Sequence, residues 1–77
     1  MSDITNTYEG IGEAIRTRRK QLGMTQLDLA EITGLQRQTI SRVEAGNGAV
    51  TITTVARIAA VVGLNLRVMP IYDDGRL

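Results

Sequence analysis

Glycine frames this chain: Gly23, Gly34, Gly46 and Gly63 each close a short segment whose apolar residues recur at helical spacing. Helices this short are marginal alone, so the units must bury their apolar faces against one another. The first unit runs from a Thr7 cap through Glu13, Ala14, Ile15 and Arg19 to Leu22. Ile11, Ile15, Arg19 and Leu22 share one face, while Gly10 and Gly12 predict fraying of the first turn, at up to ~1 kcal/mol each. Thr25-Gln-Leu-Asp28 reads as a capping box opening a helix over about Gln26 to Thr33. A third helical pattern starts two residues after Gly34, with Leu35, Ile40 and Val43 apolar, and stops at Ala45-Gly46-Asn47-Gly48. Thr51 caps a fourth, with Ile52, Val55, Ile58, Ala59 and Val62 expected inward.

The last segment changes character. Leu64, Leu66 and Val68 alternate with polar residues, which predicts a strand. One strand leaves its own backbone groups unpaired, and the chain offers no second. A second copy, a partner, or an extended tail are the options, with Pro70 confining any pairing to an edge.

The chain holds neither cysteine nor histidine. That removes disulfides, Cys/His metal sites and Cys–His or Ser–His nucleophiles. Asp73 and Asp74 read as a tail pair rather than a metal site. The expectation is therefore no catalytic residue, no metal and no cofactor, hence a non-enzyme. With 77 residues there is room for one domain, and a core this small needs close helix packing or oligomerisation. No uncharged run nears the roughly 20 residues of a membrane helix, and Met1-Ser2-Asp3 opens unlike a signal peptide. A cytoplasmic, nucleoid-associated protein without membrane contact is expected.

Net charge is only +1, but its distribution is uneven. From Arg16 to Arg42, Arg16, Arg18, Arg19, Lys20, Arg37 and Arg42 face only Asp28 and Glu31. Such an excess suits one anion-facing side, or simply a solvated helix face. Two short helices around a glycine turn match a helix-turn-helix, whose second helix enters the DNA major groove. Gln36, Arg37, Gln38 and Arg42 give that helix an outer face able to chelate guanine and adenine edges. Gln and Arg also populate ordinary exposed helices.

Residues 15–64, through LGMTQLDLA, TGLQRQTISRVEAG and ITTVARIAAVVGL, closely resemble the Cro/C1 (XRE-type) helix-turn-helix family. The resemblance implies an all-α, lambda-repressor-like domain of four or five helices that binds operator DNA as a dimer. It places Gln36, Arg37, Gln38 and Arg42 at base-reading positions and Thr25, Gln26 and Asn47 at phosphates. It also implies an ion pair between Arg19 and Glu44 beneath the DNA-binding surface. There are departures: Gln36 is a poor cap where relatives carry Ser or Thr, and Thr33 stands at a small or apolar position. Leu27, Ile32 and Val61 put apolar groups where a partner surface would lie.

The ending GLNLRVMPIY looks like the HipB-type antitoxins, in which C-terminal strands of two subunits pair. That likeness implies a dimer strand carrying Leu66, Val68, Met69, Ile71 and Tyr72. The resulting plan is a flexible 1–7, a DNA-binding domain at 8–64, a dimerisation strand at 65–72 and a flexible tail at 73–77. The expected function is repression from a palindromic double-stranded operator by a homodimer, autoregulating its own operon. A toxin partner, a HipA-like kinase or a small ribonuclease, is implied if the chain is an antitoxin. A stand-alone repressor and a protein-interaction module without DNA binding are the alternatives.

Overall fold

The computed structural model describes residues 4–47 and 49–67. Four helices follow in order: α1 (Ile4–Gln21), α2 (Gln26–Thr33), α3 (Arg37–Glu44) and α4 (Ile52–Val61). No strand is present among the described residues. α1 packs on α3, and α2 packs on both α3 and α4. Ile15, Leu29, Ile40, Ile58 and Val62 are fully buried where these faces meet. Burial of large aliphatic side chains, at roughly 1.5–3 kcal/mol each, is what the short helices gain by associating.

α1 begins at Ile4, so Thr7 lies inside the helix rather than capping it. Adding residues to a formed helix is cheap compared with starting one, so a modest capping signal does not set the boundary. The first turns also run unbroken through Gly10 and Gly12. Gly12 is buried where α1 crosses the end of α3. A methyl group there would overlap the Val43 carbonyl oxygen and stand 2.8 Å from that of Glu44. Tertiary contact outweighs the propensity cost that predicted fraying.

Two apolar residues expected inward are turned out. Ile52 is 65% exposed because it opens α4, one turn beyond the reach of the core, although it shares an angular face with buried Ala59. Leu22, 48% exposed, falls in the turn after α1 ends. Val61 goes the other way: it is half-buried and packs on the core, flanking Ile58 and Val62.

Polar side chains close the remaining seams. The buried Thr33 hydroxyl donates to the Leu29 carbonyl at 2.8 Å and reaches that of Ala30 at 3.2 Å. A hydroxyl can thus occupy a small-residue position without an unpaired polar group. Arg18 on α1 donates from Nε to the Val62 carbonyl at 3.2 Å and from Nη1 to Gln21 Oε1 at 2.9 Å. A cation at the C-terminal end of α4 also complements that helix's dipole. Beyond α4, Leu64 and Leu66 are half-buried while Asn65 and Arg67 are exposed. Alternation therefore holds to the last described residue, without strand structure. The expected strand residues Val68, Met69, Ile71 and Tyr72, and the tail at 73–77, lie outside the described residues.

Candidate nucleic-acid interface

α2 opens on Thr25, whose side-chain oxygen accepts the Asp28 N–H at 3.0 Å while Asp28 Oδ2 accepts the Thr25 N–H at 2.8 Å. Both halves of the capping box are made. These bonds, the backbone one foremost, hold the Asp28 carboxyl below its ordinary value near 3.8. The unfolded chain therefore takes up this proton before the folded one does. Stability from the cap is present above the ordinary carboxylate value and is lost as pH falls through the lowered native value. Asp28→Ala is expected to lower the melting temperature at neutral pH, with the gap to the parent narrowing as the pH falls below the ordinary carboxylate range. A gap that stays constant across a thermal-denaturation series in pH would show that ionisation of the carboxyl adds nothing to the cap.

α2 ends at Gly34, held at φ 73°, a left-handed conformation that L side chains resist. Its N–H bonds back to the Ala30 carbonyl, and Leu35 and Gln36 complete the turn to α3. Gln36 sits extended at the α3 N-cap with no side-chain capping bond and is exposed. Ile40 and Val43 dock α3 on the domain. Arg37, Gln38, Ser41, Arg42 and Ala45 are all exposed. At 100° per residue they span an arc of about 140°. Ala45 falls nearest its centre, with Ser41 and Gln38 about 30° to either side; sequence reasoning passed over Ser41 and Ala45 in favour of longer side chains. These two small side chains leave the middle of the arc low, with Arg37 and Arg42 at its edges.

Beneath this surface lies one connected polar network. Arg19 and Glu44 make a bidentate ion pair, Nε to Oε2 at 2.6 Å and Nη2 to Oε1 at 2.9 Å. Their side chains are only 8% and 4% exposed. The third Arg19 donor, Nη1, bonds the Met24 carbonyl at 2.8 Å. The bond to Glu44 raises the already high Arg19 pKa, so the guanidinium stays charged. Gln26 joins in: its Nε2 donates to Glu44 Oε1 at 3.2 Å, and its Oε1 accepts from Arg37 Nη1 at 3.0 Å. An ionised carboxylate only accepts and a guanidinium only donates, so one amide orientation satisfies both neighbours. Gln26, expected at a phosphate, thus links the buried pair to the exposed Arg37.

Thr25 Oγ1 is likewise engaged in the cap. Asn47 is exposed beyond α3, its Oδ1 accepting the Ala49 N–H at 2.9 Å. Gln36, Gln38, Ser41 and Arg42 make no side-chain hydrogen bond to another described residue. Leu27 and Ile32 stand on the outer side of α2, 54% and 63% exposed. No group of three acidic, His or Cys residues suited to a metal occurs among the described residues, and no described helix is long and apolar enough to cross a membrane.

The helix-turn-helix family HTH_3 matches residues 15–69, which takes in α2, the glycine turn, α3 and α4. The chain belongs to this family, of the Cro/C1 (XRE) type. This helix-turn-helix is 45% identical over 49 residues to an uncharacterized HTH-type transcriptional regulator of Methanothermobacter thermautotrophicus. The match spans 64% of the chain and 71% of the regulator. Among solved structures, the helix-turn-helix superposes on apo-HppE with a TM-score of 0.65 at 34% identity, over 75% of this chain and 33% of that one. Hydroxypropylphosphonic acid epoxidase from S. wedmorenis gives 0.64 and 34%, over 75% and 31%. The chain therefore spans about a third of those two proteins.

Proposed function

We propose that this helix-turn-helix is a transcriptional repressor that binds a palindromic double-stranded operator as a homodimer and regulates its own operon. The observation that carries the reading is the exposed arc of α3, where Arg37, Gln38, Ser41 and Arg42 face outward from a docked helix. Arg37 and Arg42 would chelate guanine, and Gln36 and Gln38 adenine. At the start of α2 the backbone N–H groups of Gln26 and Leu27 are not taken up by the capping box. A phosphate would rest there, with Asn47 adding a flanking contact on the other side of α3. The role proposed is binding without catalysis.

Dimerisation is supported by an apolar groove of about 480 Å³ along Ile11, Ala14, Ala59, Leu64 and Leu66. A second copy seated there, with residues 65–72 of the two chains paired, would set two recognition helices about 34 Å apart. The exposed Leu27 and Ile32 favour a second reading, in which the same protein is an antitoxin whose toxin, a kinase or small ribonuclease, covers α2.

Selection of a duplex from a random pool, followed by titration, tests the DNA-binding reading. Arg37→Ala should weaken the selected duplex by roughly 1–3 kcal/mol and relax one base position, leaving random DNA nearly unaffected. Equal losses on both would remove the base-reading role. Sedimentation should give two chains per selected duplex, and a single chain at saturation would exclude the dimeric repressor.

A further inference from the structure

The basic side chains of α1 divide by what surrounds them. Arg19 is consumed by Glu44, and Arg18 by the Val62 carbonyl and Gln21. Arg16 and Lys20, one turn apart and both exposed, form no ion pair among the described residues. They line a groove of about 430 Å³ between α1 and the C-terminal end of α3, with Thr17 and Ala45 between them. Arg16 also borders the adjoining hollow walled by Gln26, Ser41 and Ala45. The groove therefore opens onto the centre of the exposed α3 arc.

We infer that Arg16 and Lys20 hold the phosphate backbone of the bound duplex along this groove, so that α1 forms one wall of the DNA interface. The inference rests on the DNA-binding reading and adds to it a track along α1, whose Arg16 shares a hollow with Gln26 at the start of α2. The charges in the groove decide where the track runs. Glu44 is neutralised by its bidentate bond to Arg19 and does not repel an anion. Glu9 and Glu13 line the far end. Glu13 stands seven residues, about 10 Å along the axis, from Lys20. That separation exceeds the screening length of about 8 Å at physiological salt, whereas Arg16 lies within it of Glu13. Lys20 accordingly gives the stronger of the two contacts, and the acids mark where the backbone leaves the protein. Contacts of this class fix register and carry no base information.

The test is the salt dependence of binding to a fluorescent duplex of random sequence, roughly 30 base pairs long. Each phosphate contact contributes about 0.9 to the slope of log affinity against log salt. Arg16→Gln/Lys20→Gln should flatten the parent slope by close to 2, and Lys20→Gln alone by about 1. Arg57→Gln, an exposed cation on α4 that lines neither hollow, should leave the slope unchanged. Circular dichroism of the double variant should match the parent, because both side chains are exposed. A parent slope retained by the double variant, or an equal flattening by Arg57→Gln, overturns the inference while the DNA-binding reading stands. A parent that shows no salt-dependent duplex binding overturns that reading itself.

Discussion

Gly12→Ala is expected to cost about 3 kcal/mol or more, while Gly10→Ala, two residues earlier on the same helix, stabilises the protein by up to about 1 kcal/mol. Both substitutions bring the same gain in helix propensity. At Gly10 a methyl group meets nothing within 4 Å. At Gly12 it runs into the Val43 and Glu44 carbonyls, which are backbone atoms at the end of a packed helix and have no rotamer to yield. Relief would require α1 to move off α3, and that movement would also open the seam at Gly46, where an added Cβ would stand 3.0 Å from the Glu9 Cα. A domain of this size has on the order of 4–11 kcal/mol to lose. Urea denaturation should therefore show the two midpoints moving in opposite directions from the parent. A Gly12→Ala midpoint within error of the parent would disprove the close crossing of α1 and α3.

The second large effect concerns the ion pair under the α3 surface. Removing one partner, as in Glu44→Ala, leaves the Arg19 guanidinium enclosed without its carboxylate and should cost about 3 kcal/mol. Replacing both partners with apolar side chains of similar length, Arg19→Met/Glu44→Met, should recover much of that loss, since neither charge then remains unpaired. The coupling in a double-mutant cycle is the quantity to measure. Additive single losses would mean that the two side chains contribute independently despite their contact. DNA binding gives a separate readout. The double variant is expected to fold yet bind a selected duplex more weakly than the parent, because Gln26 loses its Glu44 anchor and Arg37 loses a fixed support. Unchanged affinity would detach recognition from the network.

Much of this arrangement was legible in the residues. Thr25 and Asp28 announce the start of α2 because each supplies what the other's backbone lacks, and Gly34 announces its end. Arg19 falls in an apolar row with Ile11 and Ile15, so its burial follows from helical period once a carboxylate partner is within reach. Periodicity reports angle around a helix and says nothing of depth along it. That is why Ile52 was expected inside and why Leu22, beyond the last turn of α1, was too. Gly12 illustrates a different limit. Propensity assigns every glycine the same penalty, and only the path of α3 distinguishes the one beneath it from its neighbour. Ser41 and Ala45 were overlooked for a related reason: the value of a small residue near the centre of a docking face is set by what must come close to it. The hydrogen bonds of Gln26 were equally hidden, since they join three elements separated by the turns.

The bond between Gln26 and Arg37 divides the outward face into positions of unequal freedom. Gln38, Ser41 and Arg42 make no side-chain hydrogen bond elsewhere in the described domain, so their identities can drift with little penalty to folding. Arg37 is tethered through Gln26 to the carboxylate that holds α1 and α3 together. Under the proposed function, changes there would remove a hydrogen bond from the chain that reaches the buried pair as well as altering base recognition. Divergence towards new operators should therefore accumulate first at 38, 41 and 42. Libraries meant to retarget the protein would do best to randomise those three positions while leaving Gln26, Arg37 and Glu44 untouched.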